Sequence, residues 1–213
     1  MTTENYIPDG FLKSEEKDLL VRGKMSESIN EKVKEAARKA VEYRHQGFHC
    51  SESTFLAISE TLKVADSSMV RIVTGFHGGG GCHRIKPGVN MNSVLEGLAS
   101  GTDRRTAEEA GLELTGHLCG ALAAGIICIG FLYGRRYPVD DLTCVDELSF
   151  ELHRRFLEEF GEKECRAIRE KYVPISPNGT CEYVYARGAQ IAVQLILEAG
   201  NLVKECSKRR NIP

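Results

Sequence analysis

The chain has 213 residues, 42% hydrophobic and 27% charged, with a formal net charge of −2 and a pI of about 6.3. These are globular values that exclude wholesale disorder and suffice for one domain with a sizeable core, or at most two small ones. The balance of charge supplies no field for nucleic acid, and the basic runs Arg104-Arg105, Arg135-Arg136 and Lys208-Arg209-Arg210 are too short to make one.

Residues 1–25 open on the polar, acidic MTTENYIPDG. That stretch lacks the basic start and apolar core of a signal peptide, so a peripheral segment of a cytoplasmic protein is expected. Residues 26–47 repeat Ile29, Val33, Ala36, Ala37, Ala40 and Val41 at helical spacing and stop at Gly47. Residues 50–62, CSESTFLAISETL, predict a second helix with Phe55, Ile58 and Leu62 on one face. SSMVRIVTGF predicts a short helix running into the glycine-rich GFHGGGGCHR, residues 75–84. Residues 85–103 are irregular, with Pro87, Gly88, Gly97 and Gly101, and a helix is expected near 106–114.

Residues 118–133, LCGALAAGIICIGFLY, are the longest apolar stretch. They fall short of the ~20 needed to span a bilayer and read as a buried central helix. Gly116, Gly120 and Ala124 fall at four-residue spacing on nearly one face, where another backbone can approach. Core packing accounts for such a stripe, and so does a homodimer contact. Residues 140–160 predict an amphipathic helix ended by Gly161, a short helix follows near 162–172, VPISPNGT is a loop, and residues 181–206 begin with a long final helix. No run alternates over a strand's length. The expected fold is all-α, a bundle around the apolar Gly/Ala-rich helix 118–133, with residues 26–206 as one domain and 207–213 as a tail.

Eight cysteines distinguish the composition. A disulfide framework is not expected in a reducing cytosol, which leaves metal ligation, redox chemistry or burial. No CxxC occurs, which excludes a zinc ribbon and a thioredoxin-type motif, and no CxxCH occurs, which excludes c-type haem attachment. Cys50, Cys119, Cys165 and Cys181 each fall in or beside the predicted first turn of a helix, with Thr180 as the expected N-cap for the last. Unpaired N–H groups and partial positive charge at a helix start favour the thiolate, the form that attacks disulfides and binds metals. Four such ends meeting would suit an anionic cluster held by four thiolates. A single cysteine so placed is accounted for by burial as a small hydrophobe; four with the same placement favour a shared site. Cys128 follows Cys119 by nine residues, about 180° around the helix, and reads as core. Cys144 and Cys206 also read as buried, and Cys82 stays open.

GFHGGGG, CGALAAGIICIGFLYGRR, FLEEFGEKECRAI and CEYVYARGAQIAVQLIL together resemble the C_GCAxxG_C_C family of redox-active proteins. The family is named for four cysteines, the second in a C-G-A-x-x-G motif, and the resemblance runs from about residue 37 to 197. In motif order it places the four cysteines on Cys50, Cys119, Cys165 and Cys181. The motif's last glycine is Ala124 here, with Gly125 one place later, and residues 83–116 resemble an insertion or lid.

The resemblance implies redox chemistry and names neither substrate nor redox partner. A related domain in a split-Soret type cytochrome implies an iron–sulfur centre, without the haem. The leading expectation is therefore an iron–sulfur protein for electron transfer or redox sensing. Cys50, Cys119, Cys165 and Cys181 would be its ligands, with Cys82 as a substitute or extra one. GFHGGGGCHR is neither a P-loop, since it lacks G-x-x-x-x-G-K-[ST], nor a dinucleotide fingerprint, which needs a βαβ context. Gly78, Gly79, Gly80 and Gly81, with Gly120, would instead let the backbone wrap the cluster and present N–H groups to its sulfurs, though a tight turn between helices accounts for the same glycines. The alternative is a metal-free thiol–disulfide oxidoreductase, in which one cysteine attacks and a second resolves. A zinc site using cysteine with His49, His83 or His117 ranks last. The Glu-Glu pairs at 15–16, 108–109 and 158–159 read as solvated.

Overall fold

A computed structural model describes residues 27–80, 83–85, 88, 90, 112–114 and 116–200. Helix α1 (Glu27–His45) buries Val33, Ala36 and Ala40, and the chain turns away at Gly47 with φ +100°. α2 (Cys50–Leu62) follows, then a 3₁₀ turn (Ser67–Val70) running into the single turn α3 (Arg71–Thr74). A second 3₁₀ turn (His77–Gly79) begins the glycine loop. Next come α4 (Gly120–Tyr133), α5 (Thr143–Phe160), α6 (Cys165–Tyr172), a 3₁₀ turn (Val173–Ile175) and α7 (Glu182–Glu198). Gly161, at φ +76°, ends α5 by returning its N–H to the Leu157 carbonyl, the left-handed stop that glycine permits.

The fold is all-α, as the helical periodicity implies. One departure is a small antiparallel ribbon, β1 (His83–Ile85) against β2 (Leu112–Leu114), with Arg84 opposite Glu113. The helix expected near 106–114 therefore gives way to a strand at its end, because pairing across the intervening segment satisfies the backbone instead. The remainder of that segment, with the expected N-terminal segment 1–25 and tail 207–213, lies outside the described residues. No described helix is long and apolar enough to cross a membrane.

α7 packs against α1, α2, α4 and α5, while α4 packs against α2, α5 and α7. The core is thus shared by α2, α4 and α7. The small residues of α4 and α7 set the spacing. A Cβ on Gly188 would stand 3.1 Å from the Ala121 Cβ, and one on Gly125 would stand 2.8 Å from a Leu152 methyl and 3.3 Å from the Ala192 Cβ. Gly125 thus meets both α5 and α7. Gly116, expected on the same helical stripe, lies before α4 at φ +116° and serves the loop described below.

α5, α6 and α7 meet around Phe160. Its ring lies 4.4 Å from Phe156, 5.7 Å from Tyr172 and 5.9 Å from Tyr183, centroid to centroid, in tilted and edge-on geometry. Arg155 reaches from α5 to Glu198 of α7 at 2.7 Å, and Arg187 of α7 returns to Glu159 at 3.2 Å.

Candidate redox site

The four cysteines singled out by their spacing all sit at helix starts. Cys50 and Cys165 are the first residues of α2 and α6, and Cys119 and Cys181 are the N-caps of α4 and α7. Thr180, expected to cap α7, instead donates its hydroxyl to Asn178 Oδ1 at 2.8 Å, so Cys181 takes the cap position.

Backbone pairing draws two of these starts, and the glycine loop, together. Leu118 and Glu164 form an antiparallel bridge, in which Cys119 N–H donates to Lys163 at 2.9 Å and Cys165 N–H to His117 at 2.5 Å. His117 N–H in turn donates to the Gly79 carbonyl at 2.9 Å. The bridge turns residues 162–164, expected to be helical, into extended chain and delays α6 until Cys165.

The glycine loop is one layer of this knot. At Gly79, φ is +94° and a Cβ would lie 2.7 Å from Cys165 Cβ, Gly116 Cα and His117 N. At Gly116 a Cβ would lie 2.5 Å from the Gly78 carbonyl oxygen. Only glycine fits either place. At Gly80, φ +83°, an added Cβ would meet the Gly75 oxygen at an ordinary 3.9 Å, and Gly81 and Cys82 lie outside the described residues. Gly120 acts by its small size instead. A Cβ there would meet Cys50 Sγ and the Phe76 oxygen at 2.9 Å, so the missing side chain makes room for the Cys50 sulfur.

The resulting group is graded from inside to outside. Cys119 and Cys165 are buried, at 4% and 5% exposure, whereas Cys50 and Cys181 are half-buried. Cys50 is the common neighbour: it lies within electrostatic reach of both Cys119 and Cys181, and Cys165 within reach of Cys119. The expected fall in thiol pKa does not occur where the shift is resolved. Burial raises Cys119 well above the ordinary thiol value, Cys50 and Cys165 add to the rise, and the N–H groups of Leu122 and Ala121 oppose it without overcoming it. Cys181 is pushed up to about 11, first by burial and then by Cys50, against the opposing charges of Arg169 and Arg44. Desolvation of a thiolate outweighs the partial charge of one helix end. Without a counter-cation these two groups are neutral thiols.

Soft thiolate donors suit zinc or an iron–sulfur cluster by chemistry. Among the described residues, however, no three side chains of histidine, cysteine, aspartate or glutamate stand together in a metal-holding arrangement. The histidines named with the zinc alternative are not gathered into one either. His49 stacks on His77 at 4.8 Å, His117 is exposed, and the side chain of His83 is outside the described set. Burial, His77 and Arg44 hold the His49 imidazole below its ordinary pKa, against Glu52.

Several residues beside the cysteines carry no signal in their spacing. Glu52, in the first turn of α2, accepts His49 N–H at 2.8 Å and the Thr74 hydroxyl at 2.8 Å, tying α3 to the start of α2. Thr54 donates to the Tyr185 carbonyl at 3.3 Å. Ser51, Ser53 and Thr54 are fully buried, because the glycine loop, α4 and α7 cover that turn.

The remaining described cysteines take other roles. Cys128 is buried in the core, free, and pushed up to about 12 by burial. Cys144, expected to be simply buried, is buried and also disulfide-bonded.

Residues 97–195 match the family model described as "Putative redox-active protein (C_GCAxxG_C_C)". Over those residues the chain is similar to the C_GCAxxG_C_C family. No curated protein and no solved structure matches the chain. The matched segment contains Cys119, Cys165 and Cys181, the helices α4 to α6 and most of α7. Cys50 and the glycine loop precede it, so the match is narrower than the resemblance over residues 37–197. Their association with the C_GCAxxG_C_C cysteines rests on the packing of Cys50 over Gly120 and of Gly79 against Cys165.

Proposed function

We propose that the protein is a redox protein working through Cys50, Cys119, Cys165 and Cys181, which hold an iron–sulfur cluster for electron transfer or redox sensing. The observation that carries this reading is the placement of four cysteines at helix starts, with Cys50 beside Gly120 and Cys165 beside Gly79, in a chain whose residues 97–195 match a redox-active family model. When bound, such a cluster supplies one-electron chemistry. The chain's own contribution is a set of soft donors, close backbone at Gly79 and Gly120, and burial of Cys119 and Cys165 away from water. A cytoplasmic setting fits Cys50, Cys119, Cys165 and Cys181 as free thiols, with Cys144 as the disulfide-bonded exception.

A metal-free thiol–disulfide oxidoreductase is the second reading. It is favoured by the grading of exposure, with a half-buried attacking pair outside and buried resolving thiols inside, and by Cys50 lying within reach of both Cys119 and Cys181.

Anaerobic purification followed by visible spectroscopy and iron and acid-labile sulfide analysis distinguishes the two. The cluster reading expects iron and sulfide together, lost in Cys50→Ser and Cys165→Ser. A colourless protein without either after reconstitution rejects it, and stoichiometric zinc in their place would turn the site into the zinc alternative.

A further inference from the structure

The apolar face of α5 is wider than α4 and α7 cover. Cys144, Leu148, Leu152, Phe156 and Phe160 are buried, on the side where α5 packs against those two helices. Phe150, Leu157 and the N-cap Leu142 stay exposed, at 69%, 44% and 37%. At about 100° per residue, Leu142, Asp146, Phe150, His153 and Leu157 fall within roughly 80° of one another and form one stripe along the helix. The stripe runs for about 22 Å at ~1.5 Å per residue. Exposed apolar side chains grouped in this way on one helix mark an interaction surface.

The two polar members of the stripe are left over by the fold. The Asp146 carboxylate makes no hydrogen bond or ion pair with a described residue, and His153 Nδ1 is buried without a hydrogen-bond partner. The charges beside them are settled within the chain: Arg154 sits on Glu151 and Glu158, and Arg155 on Glu151 and Glu198. The stripe is also self-complementary. Leu142 and Leu157 lie equally far from its middle, between Ser149 and Phe150, and so do Asp146 and His153. Two copies of α5 packed antiparallel about a two-fold axis there set Leu142 against the partner's Leu157 and Asp146 against the partner's His153, with Phe150 at the centre.

We propose that this stripe of α5 is a homodimer interface, in which a second copy of the chain packs antiparallel with apolar against apolar and acid against base. An isologous contact requires each residue to meet its counterpart across the axis, and these two pairs supply that match. A lipid surface fits less well: Asp146 lies inside the stripe, Glu147 and Glu158 are exposed beside it, and anionic headgroups would be repelled. The antiparallel pairing points the Phe160 ends, which lead on to Cys165, in opposite directions, so each cysteine group stays within one copy. The inference therefore stands apart from the choice between a cluster and a metal-free thiol site. One helix pair makes a small interface, and the dimer should dissociate in the micromolar range.

Sedimentation equilibrium of the full chain at neutral pH measures the association. Phe150→Glu changes an exposed residue and leaves the core intact, and it should weaken the dimer by about 100-fold. His153→Glu sets acid against acid in both pairs and should weaken it by about ten-fold. Asp146→Lys with His153→Glu reverses both partners and should return the dimer to within about three-fold of the parent. Circular dichroism checks that each variant keeps its helices. A photo-crosslinking side chain at position 150, in a mixture of light and heavy-nitrogen chains, should join the two isotopes within residues 142–157. A chain that stays monomeric at ~1 mM overturns the proposal, whether or not it binds phosphatidylglycerol vesicles. So does a dimer that Phe150→Glu leaves unchanged, a charge reversal that fails to rescue, a cross-link to another face, or a dimer held by an intermolecular disulfide on denaturing electrophoresis without reductant.

Discussion

Glycine earns its place at Gly79 by two independent constraints, a left-handed φ of +94° and three contacts at 2.7 Å for any added Cβ. Gly47 has only the first, with φ +100° and open space around it. Gly79→Ala is therefore expected to lose ~2 kcal/mol or more, from strain and overpacking together, and Gly47→Ala about 1 kcal/mol from strain alone. Urea midpoints of the two variants check this, and equal losses would mean that the loop is not packed against Cys165. The glycine run itself was legible in the sequence, but which glycine matters was not. Four consecutive glycines look identical along a chain, and only the approach of Gly116 and Cys165 from distant segments tells them apart.

Among the elements, α6 is the shortest of the helices that bear the cysteines and the most dependent on neighbours, because eight residues are marginal alone. Its anchor is the aromatic cluster in which Phe160 of α5 meets Tyr172 of α6 and Tyr183 of α7. Phe160→Ala is expected to cost ~3–5 kcal/mol. It should also speed alkylation of Cys165 before global unfolding, since α6 loses its main apolar contact. Thiol labelling below the urea transition reads this; a Cys165 as protected as in the parent protein would show that the bridge between Leu118 and Glu164 holds α6 by itself. Most helix positions followed from periodicity, and α2 matches its predicted bounds of 50–62. The ends of α6 and α7 did not, because a long-range β-bridge and a loop hydrogen-bond network decide where those helices begin.

Across the whole molecule, the thiol group is layered, with Cys119 and Cys165 inside and Cys50 and Cys181 toward solvent. In the reduced, metal-free protein, iodoacetamide should modify Cys50 and Cys181 well before Cys119, by about ten-fold or more, because Cys119 is both inaccessible and held neutral by burial. Raising the pH should speed Cys181 toward its midpoint of about 11 while Cys119 stays protected until the fold opens. Time-resolved peptide mapping gives the order, and simultaneous labelling of all four would contradict the layering.

What the sequence determined by itself is the helical class, most of the helix positions and the four cysteines that mark helix starts. Each of these is a local property, written in a period of 3.6 residues or in a residue's distance from a glycine or proline. Tertiary structure alone decided that Cys50 rests on Gly120, that Gly79 packs against Cys165, and that burial overrides the helix ends in setting the thiol pKa values of Cys119 and Cys181. Desolvation and cross-chain contact depend on residues far apart in sequence, so no local pattern carries them.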